Sequence, residues 1–344
     1  MKAAVLYKLN EPLVISDVDI TELKVGQVLV KVLVSGLCGA QIQEIKGYKG
    51  NEKFLPHLMG HEGCGIVQDI GAGVQYVKPG DKVVMHWRTG RGIESVFPEY
   101  ILDGKKLTSG KVVSFTEYAI VSENRVTTVP PQTCPYFAAL LGCGMTTALG
   151  VINNETNLKF GESIAVVGCG GVGLNLLQAA KLGGAYPIIG IDTSEVKKHL
   201  AFRAGASHYI NVQTESIRDK FSQILRNGLV DIIVDTTGYP PIIEELISLM
   251  SDRGRTILVG QPQPGKSIAL NNAAALFLGE GKTLKATQGG KTDPSNDIPR
   301  YAALNTAGIL IADNIITHKF KLSEINSAVS VLMQGAAGRI MIEL

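Results

Sequence analysis

The sequence predicts an α/β protein made of a β-rich domain and a doubly wound parallel sheet. Three observations predict it. Short alternating apolar runs punctuated by Gly, Pro and Asn fill residues 1–149. From 150 to 288, strands that are apolar throughout alternate with helical segments. A glycine-rich turn joins the first of those strands to the first of those helices.

Composition permits both parts. The chain has 344 residues, enough for two domains, and is 45% apolar and only 19% charged, so each can bury a core. Its 39 glycines suit the many tight turns of such folds.

The first domain shows itself in Gln27-Val-Leu-Val-Lys-Val-Leu-Val34 and Asp81-Lys-Val-Val-Met85. Between Trp87 and Val112 the chain is polar and irregular, too long for an ordinary turn, and therefore a candidate functional loop. In the second domain Ser163 to Gly168 is a buried strand and Gly171 to Leu182 a helix. Strands at Pro187–Asp192, His208–Asn211, Asp231–Asp235 and Gly254–Gly260 follow, with helices near 194–204, 215–226 and 240–250 between them. After Gln288 come a helix, a strand near Ile315 to Phe320, another helix and the strand Arg339 to Leu344, a tail expected to return to the first domain.

Charge and cysteine content exclude several classes. A formal net charge of +2 gives no field suited to nucleic acid or an anionic membrane. No apolar run reaches the ~18 residues of a membrane span, and the start lacks the features of a signal peptide. Five cysteines with no C-x-x-C pair argue against a disulfide framework and for a reducing cytoplasm.

Gly168-Cys-Gly-Gly-Val-Gly173 is a G-x-G-x-x-G turn at the end of a strand. Gly168 permits the tight turn, Gly170 lets backbone approach a pyrophosphate, and Gly173 lets helix and strand pack closely. The helix opening at Gly171 and Val172 offers free N–H groups to the phosphates. Asp192 follows about 20 residues later, where a carboxylate accepts from the ribose hydroxyls and repels a 2′-phosphate. NAD is favoured over NADP.

Cys38, His61 and Cys143 lie in Gly-Leu-Cys-Gly, Gly-His-Glu-Gly and Leu-Gly-Cys-Gly. Singly, each is more often a packed residue than a ligand. Together they make a Cys₂His set with a fourth position left for substrate, the composition of a catalytic zinc site.

With Gly71-Ala-Gly-Val, Pro79-Gly-Asp81, Gly60-His-Glu-Gly63, Leu141-Gly-Cys-Gly-Met-Thr-Thr147 and Gly338-Arg-Ile-Met-Ile, these motifs make the chain resemble the zinc-type medium-chain alcohol dehydrogenases over its whole length. The resemblance implies a GroES-like catalytic domain over 1–149 and 289–344, a Rossmann domain over 150–288, and an active site in the cleft between them. It implies that Cys38, His61 and Cys143 hold zinc, with Glu62 behind it able to adjust coordination. Thr147 would pack near the nicotinamide, Asp192 and Lys197 would contact the adenosine ribose, and Arg339 would reach the pyrophosphate. Trp87 falls at a pocket-lining aromatic position. Arg88 and Arg91 beside it could grip a substrate anion or could be solvated loop charges. The segment Lys266 to Leu270 resembles the edge strand through which such proteins join, so a homo-oligomer, dimer or tetramer, is expected.

Three departures stand out. The stretch Arg88 to Lys111 has no cysteine, so a single zinc per chain is expected and the lobe must be held by packing alone. Ala40 and Gln43 stand where a hydroxyl and an imidazole commonly relay the alcohol proton. Gln41 replaces the aspartate that orients the ligand histidine, and its amide oxygen raises ligand basicity less. These leave a polyol or sugar alcohol as the expected substrate, with a zinc-independent enone or quinone reductase and a non-catalytic nucleotide-binding protein as alternatives.

Overall fold

In the computed structural model, which describes residues 1–50 and 52–344, the chain divides into two compact units: Met1–Thr146 with Asp293–Leu344, and Thr147–Thr292.

The first unit is built on two mainly antiparallel sheets, each with one parallel pairing, Ile316–Lys321 with Arg339–Glu343 and His57–Leu58 with Lys105–Ser109. Gln27–Leu37 is its longest strand, and its buried residues line a core with Val67, Val83, Met85, Ile120 and Val121. It pairs with Glu62–Ile70, with Tyr118–Ser122 and with the terminal strand Arg339–Glu343, where Met341 lies opposite Gly36. That last pairing returns the end of the chain to the sheet of the first unit. A second core, including Leu37, Ile45, Phe115, Ile325 and Ile340, lies beneath the helix Ile325–Met333.

The second unit is a six-stranded sheet whose pairings are all parallel. Numbered within the unit, its strands run in the order 3-2-1-4-5-6, the doubly wound dinucleotide-binding arrangement. The central strands Ile164–Val167, Ile188–Asp192 and Val230–Asp235 are buried almost throughout, which is why they read as continuous apolar runs.

Three expectations need correction. The loop after Trp87 is irregular only as far as Glu99. Tyr100–Leu102 and Lys105–Ser109 then form a hairpin around Asp103-Gly104, both with positive φ, the turn that Asp-Gly favours. Packing alone does not hold this lobe. Glu94 takes Lys111, Arg125 and Asn124, while Glu123 accepts the backbone N–H groups of Gln75, Tyr76 and Ile93. Finally, Lys266 to Leu270 is not a strand. Pro262, Pro264 and the left-handed Gly265 turn the chain just before it, and Ala269 N donates to Glu244 instead of to a ladder. The sheet edge on this side is Thr283–Ala286, paired to Met250–Leu258.

Candidate active site

Three elements of the first unit converge at one point. Cys38 follows the strand Gln27–Leu37, His61 immediately precedes Glu62–Ile70, and Cys143 lies in the turn after the helix Pro135–Leu140. Their ligand atoms all lie within 4.8 Å of one another. Donors about 2.0–2.3 Å from a tetrahedral zinc stand roughly 3.3–3.8 Å apart, so the set fits that ion in both chemistry and spacing. The pair of thiols is unequal. A hydrogen bond from Cys143, helped by His61, holds the Cys38 thiol well below its ordinary range, and the same bond pushes Cys143 up.

Glu62 is fully buried and ties the ligands' backbones together. Its Oε1 accepts from Cys38 N at 3.1 Å and its Oε2 from Gly144 N at 3.2 Å. The Arg339 guanidinium, only 3% exposed, pairs with Oε1. Gly36 makes this pairing possible: a Cβ there would overlap the Glu62 carboxylate and come within 2.9 Å of Arg339 Nη2. Sequence reasoning assigned Arg339 to a pyrophosphate and missed both the ion pair and the need for glycine at 36.

Gln41, also buried, faces His61. Its Nε2 lies 2.5 Å from Nδ1, and its Oε1 has no partner among the described residues. A half-turn of the amide exchanges two groups of nearly equal shape. It lets Oε1 accept from Nδ1–H, which leaves the imidazole Nε2 lone pair for a metal.

The loop after the strand Lys82–His86 forms one wall. The Trp87 side chain hydrogen-bonds the Cys143 sulfur and favours its thiolate, and the Lys49 charge acts in the same direction. Arg88 sits over the Trp87 ring at 5.5 Å. Arg91 is elsewhere, its guanidinium 5.4 Å over Tyr76 and its backbone N–H on Ser295 Oγ. Buried His86 anchors the loop: its Nδ1 bonds Arg88 O at 2.7 Å and its Nε2 bonds Thr127 Oγ1 at 2.9 Å. Burial lowers the His86 pKa to about 4, so the ring is neutral. Neither Lys49 nor His86 carried a sequence signal, because neither lies in a recognisable box.

In the second unit, Gly168 adopts φ +85°, and a Cβ on Gly173 would collide with Gly168 O. The space above Gly170 is open, and the helix Gly171–Leu182 starts there without a side-chain cap, so the N–H groups of Gly171 and Val172 remain available to an anion. Asp192 accepts from the backbone N–H of Cys169, Thr193 and Ser194 and from Lys197 Nζ at 3.2 Å. The Thr236 hydroxyl, which sequence reasoning missed, braces the turn at Val167 O and Gly168 O. Thr147 is buried in the same unit.

Comparison with known proteins agrees with both units. Residues 24–131 match the alcohol dehydrogenase GroES-like domain and residues 171–306 the zinc-binding dehydrogenase domain. The chain is 32% identical over 368 residues to alcohol dehydrogenase 6 of Peromyscus maniculatus, covering 99% of this chain and 97% of that one. It is 28% identical to an S-(hydroxymethyl)glutathione dehydrogenase of Escherichia coli O1:K1 / APEC, covering 99% of each. The crystal structure of benzyl alcohol dehydrogenase from Acinetobacter calcoaceticus superposes with a TM-score of 0.90 at 26% identity, over 100% of this chain and 99% of that one. By sequence along its length and by fold, the chain belongs to the zinc-type medium-chain alcohol dehydrogenase family, oxidoreductases that use zinc and NAD.

Proposed function

We propose that this enzyme oxidises the secondary hydroxyl of a polyol, sugar or sugar derivative, or reduces the matching carbonyl, with one zinc held by Cys38, His61 and Cys143. The convergence of those three ligand atoms within 4.8 Å carries the reading. Zinc bound there supplies Lewis acidity, polarising a carbonyl and lowering the pKa of an alcohol. Glu62 fixes the backbone of one thiol ligand and that of Gly144 beside the other, and Gln41 orients the imidazole. Gly168, Gly170, Gly171, Val172 and Gly173 are proposed to cradle the NAD pyrophosphate. Asp192 and Lys197 are proposed to meet the adenosine ribose and Thr147 the nicotinamide. Arg339 is proposed to act through Glu62.

The substrate class follows from what the chain lacks. Ala40 and Gln43 carry no hydroxyl or imidazole to move the alcohol proton outward. A neighbouring substrate hydroxyl can carry it or hold a water in place. The test is the ratio of kcat/KM for the best polyol to that for a simple secondary alcohol, with NAD as cofactor. We expect the polyol to win, and Ala40→Ser to help the simple alcohol more. A wild-type preference for the simple alcohol, or a ratio untouched by the substitution, would sink the substrate-assisted reading.

We further propose a cytoplasmic setting and a two-fold homo-oligomer. All five cysteines are free thiols, as a reducing compartment requires. Among the described residues no helix is long and apolar enough to cross a membrane. Leu270, Phe277 and Leu278 are exposed apolar side chains on one stretch of the second unit, and an isologous contact would cover them.

A further inference from the structure

We propose that Arg125 is a positioning residue for the substrate site: braced by Glu94, it holds Trp87 beside the metal ligands and so sets the wall that an alcohol meets. The proposal deepens the reading above and rests on alcohol chemistry occurring at Cys38, His61 and Cys143.

Backbone pairing puts Trp87 there. The ladder between Glu62–Ile70 and Lys82–His86 ends with Glu62 opposite His86, so His61 and Trp87 leave it next to each other. The turn that carries Cys143 packs on the same end: a Cβ on Gly142 would come within 2.4 Å of Met85 O and 2.8 Å of Glu62 Cα. The bond from the Trp87 side chain to the Cys143 sulfur agrees with this placement.

Arg125 reaches that point from a third strand. It immediately precedes Val126–Thr128, in which Val126 pairs with Met85. Its side chain is only 11% exposed and divides its donors. Nη1 donates to Trp87 O, and Nη2 donates to the two Glu94 oxygens at 3.0 and 3.3 Å. A planar guanidinium with its donors fixed in a fork spans both acceptors at once, which an ammonium does not. Asn124 Nδ2 in turn donates to Glu94 Oε2 at 2.9 Å.

The rest of the loop has anchors of its own. Gly90 N donates to Asn124 O at 2.8 Å, Ile93 N to Glu123 Oε2 at 2.9 Å and Ser95 N to Ser122 Oγ at 3.1 Å. Removing the Arg125 arm therefore releases the Trp87 end and leaves the remainder in place. Arg125 Nε is buried with no partner among the described residues. A buried donor left unpaired costs stability, which argues that the guanidinium is kept for what it positions.

Trp87 is the chain's single tryptophan, so its fluorescence reports this wall without turnover. In the zinc-loaded protein, acrylamide quenching should at least double in Arg125→Met, and Arg125→Lys should recover part of the shielding. Glu94→Gln, which keeps an acceptor but loses the charge, should fall between wild type and Arg125→Met. In turnover with cyclohexanol, Arg125→Met should raise KM at least fivefold and change kcat less than twofold, with NADH binding unchanged. If Arg125→Met does not fold, Arg125→Lys and Glu94→Gln must shift quenching and KM in the same directions. Quenching equal to wild type in the folded variants, or kcat and NADH binding falling together at constant KM, would overturn the proposal. The predicted quenching pattern in a protein that oxidises no alcohol would instead remove the dehydrogenase reading and keep the brace.

Discussion

At Gln41 a neutral amide does the work of a carboxylate. It orients His61 but leaves the imidazole a weaker donor than a paired aspartate would. We predict that Gln41→Leu lowers zinc affinity by about 10- to 100-fold, the usual cost of losing such a support, and that Gln41→Asp matches or exceeds wild type. Competition against a chelator measures both, and an unchanged affinity in the leucine variant would show that His61 is held by something else. At this scale the sequence was most legible where chemistry is packed into short boxes. Cys38, His61, Glu62, Cys143 and Asp192 could all be named from their neighbours in the chain. The need for glycine at 36 and the pairing of Arg339 with Glu62 could not be read there. Both depend on contacts between segments far apart in sequence, and a glycine inside a strand gives no hint of which side chain needs its space.

The same contrast separates the elements. The parallel strands were legible because burial on both faces demands unbroken apolar runs, and the glycine turn because its steric needs are written residue by residue. The lobe after Trp87 was not, because Glu94 and Glu123 hold it through backbone amides and distant cations that no periodicity records. Its Asp103-Gly104 turn was a local signal that reasoning passed over. His86 gives this region a pH dependence. Its pKa in the folded state is about 4 against a usual 6.5, so in that window the unfolded chain binds a proton that the folded chain refuses. Stability from this group therefore rises with pH and is lost as pH falls from about 6.5 to 4, by about 3 kcal/mol. Denaturant unfolding at pH 7 and pH 4 should show His86→Gln losing about 3 kcal/mol less than wild type across that interval. Equal losses would mean that His86 is already protonated or exposed in the folded protein.

Across the whole molecule, the sequence anticipated a strand-rich part and a doubly wound part, yet misplaced the sheet edge. The prolines at 262 and 264 outweigh the apolar alternation that made Lys266 to Leu270 look like a strand. The case for self-association now rests on Leu270, Phe277 and Leu278, of which Phe277 is 83% exposed. Light scattering at micromolar concentration should give at least a dimer mass, and Phe277→Glu should shift it toward monomer. A stable wild-type monomer would refute the assembly.

The central claim is that one zinc, held by Cys38, His61 and Cys143, makes this chain an alcohol dehydrogenase, while a separate unit holds the nucleotide. The most direct measurement is tightly bound zinc per chain in wild type and in Cys143→Ala, with NADH binding measured on the same samples. The account predicts one zinc in wild type and its loss with all turnover in the variant, while NADH still binds. Two zincs per wild-type chain, or a variant that keeps its zinc and its activity, would contradict it.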